Sequence, residues 1–277
     1  MATSCRQYHL EPSYKQHTAV DDQAGVIVDV EVTTGEASEG EQLPGQMERV
    51  ETNTGMKLKS ATADSAYAHS ANYAHCEERE VEAVIPPQAE RRSPKRIPAR
   101  RFKYDARHER VRCPGGRTLR RSTRAKHGWM YRARASDCRN CPLRERCISP
   151  TASSRTILIV DGYEALLRAR RCWPRRDADT RRTYSRHRWR VEGIHGEAKT
   201  QHGLRRAVRR GLWNVAIQAY LTAAVMNLKR LAALLWDLLA HLWRLEVSER
   251  EQLCHNAVRN KNPIRHERNV HIARKAA

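Results

Sequence analysis

The sequence predicts an α/β protein: a mixed sheet in the first ninety residues, a small basic cysteine-rich insertion, and helices towards the C-terminus. Three observations carry this. Short apolar runs of strand length alternate with a helical stretch before Pro86. Composition turns abruptly basic and Pro/Gly-punctuated after it, and from Leu212 apolar residues recur at helical spacing.

The elements follow in order. Residues 1–13 show no usable period and are expected to be a disordered lead-in. Tyr14 to Asp22 reads as extended. In Val26 to Thr33 the valines at 26, 28, 30 and 32 alternate with Ile27, Asp29, Glu31 and Thr33, a half-buried strand that Gln23-Ala24-Gly25 joins to the first as a hairpin. Leu43 to Thr52 is a short helix ended by Asn53-Thr54-Gly55. Leu58 to Ala63 is a strand running into Asp64, Ala68 to Glu78 a helix, and Val81 to Ile85 a strand stopped by Pro86-Pro87. That order suits a mixed sheet spanning 14–87.

Residues 88–160 form the insertion, with strands near Arg101–Tyr104, Arg110–Cys113 and Arg155–Asp161. Helices are predicted over Tyr163–Arg171 and Asp177–Gly193, and Leu212–Leu245 is one bent helix or two; 161–245 is thus the helical part. The segment 246–277 is a basic, loosely held tail. Trp173, Trp189, Trp213, Trp236 and Trp243 are expected to fill core or helix contacts, with stacking of Trp189 on a base as the less favoured reading.

Charge narrows the partners. The chain carries a formal +21, split between −10 over residues 1–90 and +31 over residues 91–277. Arginine outnumbers lysine in the basic part, and its planar fork matches phosphate oxygens. Nucleic acid is favoured over an acidic protein or an anionic membrane. Met1 to Tyr14 lacks a signal-peptide core, and the uncharged run Leu212–Leu228 carries Asn214, Gln218, Thr222 and Asn227, so it reads as a buried helix rather than a span. A cytoplasmic protein is expected, with reduced thiols.

Cys113, Cys138, Cys141 and Cys147 fall as C-x24-C-x2-C-x5-C inside the insertion. The C-x2-C pair has the spacing of a zinc knuckle, and the outer cysteines could close a tetrahedral Zn²⁺ site. Unliganded thiols in a small core are the competing reading. Cys5, Cys76, Cys172 and Cys254 lack partners at ligand spacing and are expected to pack.

Arg188, Glu192 and Lys199 lie at i, i+4 and i+11, on one face of a helix. A carboxylate there can hold Mg²⁺ while its basic neighbours hold phosphate; an ordinary solvated ion pair satisfies the same spacing. Two further segments narrow the choice. Ala61-Thr-Ala-Asp64-Ser-Ala-Tyr67, with Ser70-Ala-Asn72 and Val84-Ile-Pro86, resembles the strand, aspartate and helix that carry the second catalytic acid of the DDE transposases of bacterial insertion sequences. Arg188-x3-Glu192-x6-Lys199 resembles that family's Tyr-Arg-Glu-Lys signature, and Gly203-Leu-Arg-Arg, Arg210-Gly211 and Asn227-Leu-Lys-Arg-Leu231 resemble its closing helices. The likeness runs from about residue 14 to 235, the cysteine-bearing insertion included.

The resemblance implies an RNase H-like sheet and cleavage and transfer of DNA strands at the terminal repeats of a mobile element. It implies Mg²⁺ or Mn²⁺ held by Asp64 and Glu192, with Lys199, Arg188, Arg205 and Arg206 on DNA, and a homo-oligomer near the bacterial nucleoid. Three departures stand out. Tyr184 is one residue too far from Arg188, and Ala66 replaces the usual glycine. Tyr14–Asp21 resembles the second strand of the family's sheet, so the first strand, with the first catalytic aspartate, is expected to precede Met1. Asp21, Asp22 and Asp29 are the nearby substitutes. A catalytically silent, DNA-binding or regulatory remnant is the alternative, and a decayed reading frame a third.

Overall fold

In the computed structural model, which describes residues 2–3, 10–11, 13–89 and 96–261, two short strands, β1 (Ala2–Thr3) and β2 (Leu10–Glu11), pair antiparallel ahead of the first long hairpin. That hairpin is β3 (Tyr14–Val20) against β4 (Ile27–Thr34), in register from Tyr14↔Thr34 to Val20↔Ile27 with an irregularity after Ala19. Asp21 makes the turn: its carboxylate accepts the Ala24 N–H at 2.6 Å and its own N–H donates to the Val26 carbonyl at 2.8 Å.

Asp29, predicted on a solvated face, is buried instead. Arg49 on the facing helix donates to both of its carboxylate oxygens at 3.1 Å, and Gln46 donates at 3.3 Å. An acid in a strand tolerates burial when such donors face it. That helix, α1 (Leu43–Thr54), turns Leu43, Gln46, Met47 and Val50 inward at i, i+3, i+4 and i+7. Gly55 ends it in the left-handed conformation, its N–H on the Glu51 carbonyl.

Strands β5 (Ser60–Thr62) and β6 (Glu82–Val84) are parallel, with α2 (Ser70–Glu78) crossing between them. Their core joins Ala63, Tyr73, Cys76, Val81 and Ile85 to Leu43 and Met47 of α1. The Tyr73 hydroxyl donates to the Ile85 carbonyl at 3.0 Å. The single mixed sheet expected over 14–87 is thus divided: β3–β4 and β5–β6 are separate two-stranded sheets. Among the described residues no strand bridges them.

The insertion is more regular than the sequence suggests. Strands β7 (Lys103–Asp105), β8 (Arg110–Arg112), β9 (Thr118–Ala125), β10 (Gly128–Arg132) and β11 (Thr156–Val160) form one antiparallel sheet in the order β11-β10-β9-β8-β7. Phe102, Val111, Leu119, Tyr131, Ile157 and Ile159 fill its core. The turn after β11 needs Gly162: a Cβ there would fall 2.5 Å from the Ser70 carbonyl oxygen, where α5 (Tyr163–Cys172) meets α2.

Two short helices, α3 (Ala135–Arg139) and α4 (Arg144–Cys147), follow β10. Helix α6 (Ala178–Gln201) starts at Asp177, whose carboxylate accepts the Thr180 N–H at 2.8 Å. It runs eight residues past the predicted end at Gly193. Gly193 and Gly196 lie within it, and a side chain at either would meet open space. Helix α7 (Leu212–Lys261) is one continuous helix that also takes in the start of the predicted loose tail; residues 262–277 lie outside the described part. Two units divide the chain, Met1–Ala224 and Val225–Ala277.

Most tryptophans do not fill a core. Trp189, Trp213, Trp236 and Trp243 are exposed on helices; Trp173 packs edge-on, 5.3 Å from the Tyr184 ring. Cys76 is fully buried as expected, whereas Cys172 is exposed; Cys5 and the side chain of Cys254 lie outside the described residues.

Candidate active site and nucleic-acid surface

Asp64 stands two residues past the end of β5 and opens the short turn Ser65–Tyr67, its Oδ1 accepting the Ala66 N–H at 2.8 Å. Ala66 therefore serves the turn where glycine was expected. Asp64 stays exposed, and beside it burial, with Glu39 and Asp64 adding to it, pushes the Tyr67 hydroxyl up to about 12.

Helix α6 runs past both β3 and β5, and its buried residues Ile194 and Ala198 fix which face turns inward. Glu192 and Lys199 stand on its exposed flank. The side chain of Arg188 lies outside the described residues, although its backbone is helical.

His187, little more than one turn from Glu192, locates the acids. Burial lowers its pKa, and the carboxylates of Asp64, Asp22 and Glu192 all pull it back up. Asp64 and Glu192, 128 positions apart in sequence, thus act on the same imidazole. Asp22 is a third carboxylate there, held by Arg186, whose Nε donates to Oδ1 at 2.8 Å and whose Nη2 donates to Oδ2. Arg190, one turn on, donates to the Gln23 carbonyl at 3.1 Å. Asp21 is used by its turn and Asp29 by Arg49.

Farther along α6, His195 is lowered by burial, then by the Lys199 and His17 charges. His187 and Asp22 are the members of this group that sequence reasoning misses or sets low. The helical period places His187 one residue off the Arg188/Glu192 stripe, a signal legible in the spacing alone.

Beyond α6, Arg205, Arg206, Arg209 and Arg210 are exposed in one loop. Gln218 holds that loop, donating to the Gly203 and Arg206 carbonyls at 3.3 and 3.1 Å and accepting the Val208 N–H at 3.1 Å. The Tyr14 hydroxyl accepts the Gly211 N–H at 2.8 Å. The loop is therefore pinned to β3 and to the start of α7 while its arginines stay in solvent.

Cys113, Cys138, Cys141 and Cys147 line one cavity of about 30 Å³ in the insertion. That volume admits an ion or a water and excludes an organic ligand. The Sγ atoms of Cys113 and Cys141 both come within 3.7 Å of the position a Gly115 side chain would take, and the Arg117 N–H donates to Cys113 Sγ at 3.3 Å. Burial raises the Cys147 thiol, offset in part by Arg155, and the other three cysteines raise it further. Among the described residues no three of His, Cys, Asp and Glu are set as a formed metal site, at the cysteines or at the carboxylates.

Residues 112–232 match the family model described as the transposase DDE domain. This stretch is similar to a transposase DDE domain. The matched stretch includes the four cysteines, Glu192, Lys199 and the arginine loop, while Asp64 and Asp22 precede it. No curated protein and no solved structure matches the chain. No helix among the described residues is long and apolar enough to cross a membrane.

Proposed function

We propose that this chain acts on duplex DNA as the C-terminal portion of an insertion-sequence transposase, by metal-dependent strand cleavage and transfer. The observation that carries the reading is the packing of α6, which bears Glu192, against β5, which leads to Asp64, with His187 feeling both charges. Asp64 and Glu192 would hold Mg²⁺ or Mn²⁺, which when bound supplies Lewis-acid stabilisation of the scissile phosphate. Hard carboxylate oxygens are suitable ligands for such ions. Lys199, Arg188, Arg205 and Arg206 would take DNA phosphates, since the exposed cations continue from α6 into the pinned loop.

The RNase H-like reading of the fold places one strand between β3 and β5, and that strand carries the first catalytic aspartate. Asp22 sits close enough to act as a substitute, but Arg186 neutralises it. This pairing favours a second reading, a DNA-binding or regulatory relative that cleaves poorly. The four cysteines would hold a structural Zn²⁺, their shared small cavity and the N–H donated to Cys113 being what suits thiolates. Metal-dependent nicking of a duplex bearing the element's terminal repeats, compared with Glu192→Gln, tests the reading.

A further inference from the structure

In the second unit, Leu228, Leu231, Leu235, Leu238, Leu242 and Leu245 recur along α7 at alternating intervals of three and four. These are the a and d positions of three successive heptads. Each is 50–63 % exposed among the described residues. Val225 and Leu239 at e, and Leu234 at g, are exposed as well. Arg230, Asp237 and Arg244 recur seven apart at c, with Lys229 beside them at b.

A seven-residue repeat drifts by about 20° per heptad around a straight helix, so a flat surface gives no reason to keep it. A second helix winding about the first does. Leucine at both a and d packs against leucine, and the helix is therefore complementary to itself.

We propose that Leu228–Leu245 is a coiled-coil seam that pairs with the same helix of a second copy of this chain. Covering six leucines on each of two copies removes on the order of 1,000 Å² of apolar surface, the lower bound for a specific interface. The inference does not depend on the chain's activity on DNA.

Sedimentation equilibrium of the full chain tests it, with Leu235→Glu/Leu238→Glu as the seam variant and Ala233→Glu, on the opposite face, as control. Circular dichroism checks that each keeps its helix. The wild type and the control are expected to associate, and the seam variant to associate about a hundredfold more weakly. A monomeric wild type, or a seam variant as associated as the wild type, would overturn the proposal. So would a monomer that instead co-sediments with phosphatidylcholine/phosphatidylglycerol vesicles through these leucines.

Discussion

Arg186 of α6 grips Asp22 in a two-pronged ion pair, joining the helix that bears Glu192 to the turn between β3 and β4. The pair is partly solvated on both sides and contributes at most about 1 kcal/mol to stability. Its consequence is chemical, because it occupies the carboxylate that could otherwise join Asp64 and Glu192. Arg186→Ala is expected to tighten Mn²⁺ binding several-fold with little change in Tm, as read by calorimetry. A gain that Asp22→Asn does not remove would dissociate Asp22 from the ion.

Arg49 has the opposite kind of importance. It compensates buried Asp29 and also pairs with Glu31 at 2.5 Å. Removing it as Arg49→Ala leaves a buried acceptor short of donors and is expected to cost about 1–3 kcal/mol in urea unfolding.

Acid should weaken the fold around α6. His17, His187 and His195 all have pKa values lowered chiefly by burial, so the unfolded chain binds protons that the folded chain refuses. Their stability contribution is full above the unfolded value near 6.5 and is lost as pH falls through the lowered folded values. Tm is expected to drop from about pH 7 towards pH 5, less steeply in His195→Gln. A Tm flat over that window, or one that rises, would contradict the burial described.

DNA affinity should depend on the pinned loop. Arg205→Ala/Arg206→Ala is expected to weaken binding to all duplex sequences alike and to reduce the salt slope by about two. An unchanged slope would move the phosphate contacts elsewhere.

For the cysteines, elemental analysis of anaerobically purified, tag-free protein is expected to find one zinc per chain, lost in Cys138→Ser/Cys141→Ser. Zinc-free protein whose folding ignores chelators would leave the cavity as packed thiols.

The elements most legible in the sequence are those with a strong period or a strong stop. The strand at β4, the small-residue run before Asp64 and the Gly55 stop of α1 appear where expected, although β4 buries Ile27 and Asp29 as well as Val30 rather than the valine face alone. Strands β9 and β10 escape a sequence reading because β9 hides its pattern under arginine, burying only Leu119 while it pairs on both sides. Helix α6 outruns its expected end at Gly193, a residue tolerated there because its face is open. The Glu192 array is readable from spacing, but its proximity to Asp64 requires the path of α6 across β3 and β5. The burial of Asp29 is not legible, because strand alternation does not show which residues will find an arginine opposite.

The most direct test of the central claim is a cleavage assay in Mg²⁺ and in Mn²⁺ on a duplex ending in the element's terminal repeat, run beside a binding assay. The account predicts metal-dependent nicking that Glu192→Gln and Asp64→Asn abolish while DNA binding survives. Cleavage that persists in Glu192→Gln would contradict it, and DNA binding without any cleavage in the wild type would leave the regulatory reading in its place.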